Sequence, residues 1–351
     1  MGAPLLSVQD LHVRYGLGRR GFEAVRGVSL EIRAGETVGL VGESGSGKTT
    51  LARAVLGLVP VTAGSISVAG QRVADAGRGG RKLLASTVQA VFQDPYSSLN
   101  PALKIGATLA EPYRAVRGGT AGDARKLAVE MLQRVGLEPD AVDRYPASFS
   151  GGQRQRIAVA RALMASPQLV ICDESVSALD LSVQAQVLNL LRSLQREYEL
   201  SYLFIGHDLD VVRYMSHRIV VMYRGLVLEH GPADQVARRP RHPYTQALIA
   251  SAPGRGAAPS ASVRPAATAP GAGCPFQPRC RFAVARCAIE APELRPLDTG
   301  GAAACHQLDE VPAPDGAGTQ QQAAAPGASE EGARAHRADA KTPMRRDLNE
   351  K

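Results

Sequence analysis

The run Gly42-Glu43-Ser44-Gly45-Ser46-Gly47-Lys48-Thr49-Thr50 carries the spacing G-x-x-x-x-G-K-[ST] over residues 42–49. Glycines at these places let backbone N–H groups turn inward around an anion, and a helix that starts at the end of the loop adds its positive pole. Lys48 can then reach the outer phosphates of a nucleotide. Thr49 offers a hydroxyl to Mg²⁺, which bridges the β- and γ-phosphate oxygens and neutralises charge as the terminal bond breaks.

Four further signals fit hydrolysis. Asp173-Glu174 follows the apolar run Leu169-Val170-Ile171-Cys172. Taken alone, an acidic pair at a strand end is a solvated turn. Behind a phosphate loop, Asp173 can hold Mg²⁺ through water and Glu174 can polarise the attacking water. Gln93 closes the strand-like run 87–92, where its amide oxygen can reach the metal, although a lone glutamine reads equally as surface. His207 follows Tyr202-Leu203-Phe204-Ile205-Gly206, placed to touch the γ-phosphate and sense hydrolysis; by itself it also reads as a satisfied structural histidine. Ser150-Gly151-Gly152-Gln153 precedes an apolar-faced helix expected over 154–165, so a hydroxyl, bare glycine amides and a helix dipole form a second anion site. The loop already covers one side of the single γ-phosphate in a chain. The second site therefore suits a nucleotide bound to another subunit.

Positioning these groups requires a sheet whose strands end together. Apolar runs predict strands at 37–41, 87–92, 169–173, 202–206 and 218–229, with helices after Lys48, at 124–135 and at 183–198. Residues 5 to about 90 read as a mixed sheet and about 94–165 as a helical insertion. The expected class is α/β, a P-loop nucleotide-binding fold.

The order of motifs resembles the ATP-binding subunits of ABC transporters. The resemblance maps Walker A to 42–50, the Q-loop to Gln93, the signature to 150–153, Walker B to 169–173 with catalytic Glu174, the D-loop to 177–180 ending on Asp180, and the switch histidine to His207. Tyr15 matches the aromatic residue that stacks on adenine, a role its π-face suits; it also reads as an ordinary strand tyrosine. The stretches Gln93-Asp94-Pro95-Tyr96-Ser97-Ser98-Leu99-Asn100-Pro101, 172–180 and Arg241-His242-Pro243-Tyr244-Thr245 narrow the resemblance to the dipeptide/oligopeptide importers, and to the second of their two ATPase subunits. Phe149 departs from the usual leucine ahead of the signature, and Ser175 from the common proline after the glutamate. Neither is a phosphate or metal ligand.

The resemblance covers roughly residues 5–308. It implies an ABC ATPase domain over 5–253, ATP and Mg²⁺ as ligands, and a mixed-sheet core with a helical signature subdomain. Its implied partners are a second ATPase subunit, two membrane-spanning permease subunits and, indirectly, an extracytoplasmic solute-binding protein. A heterodimer follows from likeness to the second ATPase, yet both half-sites look complete, so a homodimer also fits. The implied place is the cytoplasmic face of the cell membrane.

Composition agrees. No run of the 351 residues approaches the ~18–20 apolar residues that span a bilayer, and the start lacks a secretory leader. A net charge of +8 raises nucleic acid as a partner, but the basic residues are scattered, aromatics are 4% and tryptophan is absent. No nucleic-acid role is expected. The basic cluster 238–242 reads as solvated surface or as a lipid or polymer contact.

Residues 254–273 are rich in Ala, Pro, Gly and Ser and read as a flexible linker; 309–351 read as a disordered tail. Between them lies a cysteine-bearing extension, 274–308, with Cys274, Cys280, Cys287 and Cys305. Cys172 lies in a core strand and reads as inert. A reducing compartment disfavours disulfides, and the spacing lacks the close pairs of structural zinc. Four thiolates can hold a [4Fe–4S] cluster, which the resemblance to the peptide importers also implies; zinc and packed, unmetallated thiols stay open. Two rival functions remain: a soluble ABC ATPase acting on nucleic acid or ribosomes, and an ATP-gated iron–sulfur sensor.

Overall fold

A computed structural model gives the fold and describes residues 3–16, 21–73, 77–93, 99–177, 179–251 and 272–312. Strands β1 (Leu6–Tyr15), β2 (Phe22–Ile32), β4 (Ala63–Val68) and β5 (Gln71–Arg72) form an antiparallel sheet in the order β2-β1-β4-β5. A larger sheet has a parallel part made of β6 (Val88–Val91), β7 (Leu169–Asp173), β8 (Ser201–Gly206), β3 (Thr37–Val41) and β9 (Arg218–Tyr223), in that spatial order. Beyond β9 it continues antiparallel through β10 (Leu226–Pro232), β12 (Ala302–Ala303) and β11 (Arg295–Pro296).

β3 and β7 are buried at every residue. Parallel strands covered on both faces need apolar side chains throughout, and the period of two divides those side chains between two cores. Leu169 and Ile171 join the core shared with the antiparallel sheet and α1 (Lys48–Val55). α2 (Gly77–Thr87) leads directly into β6. The helical insertion contains α3 (Ile105–Arg117), α4 (Ala121–Arg134) and α5 (Gly151–Leu163). Val170 and Cys172 face the second core, shared with α5 and α6 (Leu181–Tyr198). Gly39 in the centre of β3 is needed for close packing, because a Cβ there would collide with Val212 of α7 (Leu209–Met215).

A capping box opens α4, with the Asp123 N–H donating to Thr120 Oγ1 at 3.2 Å and the Thr120 N–H donating to Asp123 Oδ2 at 3.3 Å. Phe149 is buried in this region's core, under the Arg144 guanidinium at 4.5 Å from its ring centroid.

Three expectations shift. The signature helix starts at Gly151 rather than Arg154, because Ser150 caps it and the glycines enter its first turn. The run 218–229 is a hairpin of β9 and β10, turned by Arg224 and Gly225 at φ 47° and 81°. Positive φ at both residues is the primed turn that a two-residue hairpin needs, and an arginine in place of the usual Asn or Asp before the glycine hid the break. The short helix α8 (Ala233–Arg238) follows. The basic cluster 238–242 is divided: Arg238 and Arg239 are exposed, whereas His242 is buried. The cause is Glu229 of β10, fully buried, whose carboxylate accepts the backbone N–H groups of Arg241 at 2.8 Å and His242 at 2.9 Å.

The cysteine segment is built into the larger sheet. β12 pairs with β10, β11 lies beyond it, and the Ala304 N–H donates to the Leu228 carbonyl at 2.8 Å. Described structure continues past residue 309 to Pro312, with Val311 buried against Leu308. The linker, apart from Ala272 and Gly273, and the tail beyond 312 lie outside the described residues.

Candidate nucleotide site

Parallel strands end at the same edge of a sheet, and this edge collects the chemistry. Gly42 follows β3, Asp173 ends β7 with Glu174 next, Gln93 follows β6, and His207 follows β8. The loop from 42 to 47 requires its glycines. Gly42 and Gly47 have φ 154° and 106°, and a Cβ on either would strike backbone, the Met222 carbonyl for Gly42 and the Ala24 carbonyl for Gly47. Gly47 also occupies the cap position of α1 and offers no side chain to its first-turn N–H groups. Those donors are left for a ligand, unlike those of α5 and α6.

Lys48 is 4% exposed, and its Nζ donates to the carbonyls of Gly42 at 2.7 Å and Glu43 at 3.0 Å. Burial lowers its pKa, opposed by Glu174, Asp173 and Glu43. A phosphate would give this ammonium the counter-charge that carbonyls only approximate. Thr49 Oγ1 stands 3.4 Å from Asp173 Oδ1, and Thr50 is half-buried on the same helix. Burial raises the Asp173 pKa, with the Thr49 hydrogen bond opposing. A buried carboxylate facing a hydroxyl is a hard-oxygen donor set that fits Mg²⁺.

Glu174 adopts φ 48°, its N–H donating to the Ile205 carbonyl at 3.0 Å and its carbonyl accepting from the Ser177 N–H at 3.1 Å and Oγ at 2.9 Å. This turn aims the carboxylate at His207, whose Nδ1 lies 3.8 Å from Glu174 Oε2. The two line a groove with Ser177, Leu179, Gly206 and Asp208. Gln93 is exposed. Tyr15, 40% exposed, pairs with Phe22 at the β1–β2 end; Ala24, two residues on, is the neighbour of Gly47.

Ser150 and Gln153 engage each other, the Gln153 N–H donating to Ser150 Oγ at 3.3 Å and the Ser150 N–H donating to Gln153 Oε1 at 3.0 Å. Gly151 is open to solvent, whereas a Cβ on Gly152 would collide with Val183 of α6. Asp180 caps α6, its Oδ1 accepting the Val183 N–H at 2.9 Å. The residue before it, Leu179, lies in the groove of Glu174, while Ala178 lies outside the described residues.

Cys274, Cys280, Cys287 and Cys305 line a common small cavity with Phe276, Phe282 and His306. All four are free thiols, and the Cys274 N–H donates to the Cys287 carbonyl at 2.8 Å. Burial raises the Cys274 and Cys305 pKa values and pushes Cys280 up to about 11. Among the described residues no three His, Cys, Asp or Glu side chains stand together as a cage for a metal ion, so the iron–sulfur expectation finds no preformed site. The donor chemistry still fits. Cys172 is separate: fully buried, its thiol is pushed up to about 12 by burial, which keeps it neutral and unreactive.

The family model for ABC transporters matches residues 25–177, and that for the oligopeptide/dipeptide transporter C-terminal region matches 228–287. The di/tripeptide transport ATP-binding protein DppF of Pseudomonas aeruginosa is 44% identical over 318 residues, covering 87% of this chain and 98% of that protein. The chain belongs to the ATP-binding subunits of peptide ABC transporters. Solved structures agree on the fold. A dimeric ATP-binding cassette in a post-hydrolysis state with ADP and Pi superposes with a TM-score of 0.59 at 28% identity, covering 65% of this chain and 98% of that one. cbiO1 of Clostridium perfringens, part of an ABC transporter complex, does so at 0.59 and 28%, covering 67% and 91%. In this ABC subunit no helix among the described residues is long and apolar enough to cross a membrane.

Sequence reasoning missed the residues that brace the phosphate loop from outside. Tyr244 Oη accepts the Glu43 N–H at 2.9 Å, and Arg279 pairs with the Glu43 carboxylate. Their sequence separations of 201 and 236 residues leave no local signal.

Proposed function

We propose that this subunit hydrolyses ATP to drive import of di- and oligopeptides through a membrane complex, as a peripheral protein of the cytoplasmic membrane face. The observation that carries the reading is the convergence of Lys48, Thr49, Asp173, Glu174 and His207 at one sheet edge. The uncapped N–H groups of α1 and Lys48 would bind the phosphates, and Tyr15 would stack on the base. Asp173, Thr49 and Gln93 would hold Mg²⁺, which when bound draws charge from the β- and γ-phosphate oxygens. Glu174 polarises the attacking water and accepts its proton; His207, within reach of Glu174, orients that carboxylate and contacts the γ-phosphate. Glu43, Ser44, Gly45 and Ser46 complete the loop. The dimeric cassette among the structural neighbours supports a head-to-tail pair in which Ser150, Gly151, Gly152 and Gln153 of one subunit close on the nucleotide of the other, with Asp180 ordering the connecting turn. A distinct second ATPase, two permease subunits and a solute-binding protein complete the complex.

The four cysteines of the extension are proposed to hold a [4Fe–4S] cluster with a structural role, supported by their shared cavity. Anaerobic purification followed by iron analysis tests it: near four irons per chain supports the cluster, and an iron-free, folded chain overturns it.

The motor reading is tested by reconstituting the complex and measuring hydrolysis and peptide uptake. Glu174→Gln should cut both by about 10²–10⁴-fold while leaving ATP binding intact. Hydrolysis indifferent to this change would overturn the role of Glu174, and uptake of no peptide by an active complex would overturn the substrate.

A further inference from the structure

Glu43 is held three times over, twice by groups remote in sequence. Its N–H donates to Tyr244 Oη at 2.9 Å, its carbonyl accepts from Lys48 Nζ at 3.0 Å, and its carboxylate receives both arms of a guanidinium. The arms are Arg279 Nη1 to Oε2 and Nη2 to Oε1, each 2.9 Å. Arg279 comes from the cysteine segment, immediately before Cys280, and its guanidinium lies 5.9 Å from the Tyr223 ring centroid and 5.5 Å from that of Phe276. Tyr223, Tyr244 and Phe276 are themselves buried against one another, with centroids 4.6–5.6 Å apart. The fork is thus fixed on a rigid aromatic base rather than on a loose loop.

This matters to phosphate binding because Glu43 is an anion inside an anion-binding loop. It lies within electrostatic reach of Lys48 and favours that lysine's charged form. Released, it would compete with phosphate for Lys48 and add repulsion to the incoming triphosphate. A bidentate guanidinium neutralises it and sets its direction, which a lysine cannot do with the same geometry.

We propose that Arg279 is a positioning residue for nucleotide binding: the cysteine-bearing segment grips Glu43 of the phosphate loop, holds it in the shape that accepts ATP and offsets its negative charge. The proposal rests on the assignment of 42–50 as the ATP site. It gives the extension a direct mechanical hold on the motor.

The test uses the full-length chain, with ATP hydrolysis measured against ATP concentration for wild type, Arg279→Ala, Arg279→Lys, Glu43→Gln and the Arg279→Ala/Glu43→Gln pair, and with Lys48→Ala as a control for nucleotide binding. Thermal melts confirm folding. Arg279→Ala should raise KM for ATP about tenfold with kcat changed less than twofold, and Arg279→Lys should recover part of it. Once Glu43 is neutral, removing Arg279 should change KM no further. An unchanged KM in Arg279→Ala, or equal losses with and without the Glu43 charge, overturns the proposal while a Lys48→Ala binding defect still upholds the ATP site. Normal nucleotide binding in Lys48→Ala would overturn the site assignment and the proposal together. If Arg279→Ala fails to fold, the KM of folded Arg279→Lys decides: unchanged from wild type, it overturns the proposal.

Discussion

Glu174 sits in the left-handed region, a conformation that costs a glutamate on the order of 1 kcal/mol. Its turn holds it there through Ile205 and Ser177, and the result is a carboxylate aimed at His207. Function and stability therefore oppose each other at this residue. Glu174→Gly should raise unfolding free energy by roughly 1 kcal/mol in urea titrations while hydrolysis falls by about 10²–10⁴-fold. The signature glycines separate in the same way. A side chain at Gly152 meets Val183, so Gly152→Val should cost about 1–3 kcal/mol through forced repacking. Gly151 faces open space, and Gly151→Asp should leave stability within about 0.5 kcal/mol yet suppress hydrolysis by placing an anion where the proposed head-to-tail pair would dock the partner's phosphate. A Gly151→Asp protein as active as wild type would remove the second anion site from the mechanism.

At the scale of elements, α9 (Pro243–Ala250) links the sheet to the phosphate loop. His242 caps it, with Nδ1 accepting the Tyr244 N–H at 2.9 Å and the ring bonded on its other side to the Ala304 backbone. The Tyr244 contact needs an unprotonated Nδ1, and burial pushes the pKa down to about 4 against the Ala304 hydrogen bond, which raises it. The unfolded chain binds this proton below about pH 6.5 and the folded chain only near 4, so stability is lost as pH falls through that window. From pH 7 to 5 the loss from His242 is about 2 kcal/mol. Glu229 acts in the opposite direction, since burial raises its pKa and protonation then favours the folded state as pH falls. Comparing urea unfolding of wild type and His242→Gln at both pH values cancels that contribution. The wild type should lose about 2 kcal/mol more than the variant; equal losses would mean that the ring does not remain neutral.

At the scale of the whole molecule, the proposed head-to-tail pairing is open to a direct test. Its signature segment is self-capped and lies at the start of α5, while the phosphate loop and Glu174 lie at the sheet edge. Glu174→Gln with ATP and Mg²⁺, alone or mixed with its partner ATPase, should sediment at twice the monomer mass, and Gly151→Asp should abolish the shift. A monomer under all these conditions would count against head-to-tail closure.

The sequence by itself determined the phosphate loop, the acidic pair after β7, the histidine after β8 and the α/β class. Each is a local pattern, a spacing of residue types or an unbroken apolar run, that can be recognised without knowing which remote residues brace it. The hairpin at Arg224-Gly225 was less legible because its break is only two residues long and puts an arginine, not the usual Asn or Asp, at positive φ before the glycine. Only the tertiary structure decided that the cysteine segment extends the ATPase sheet through β12, that His242 is core and not basic surface, and that Tyr244 and Arg279 converge on Glu43. Those facts depend on contacts between residues tens to hundreds of positions apart. Their energies come from burial and from the direction of individual donors, which no spacing along a chain encodes.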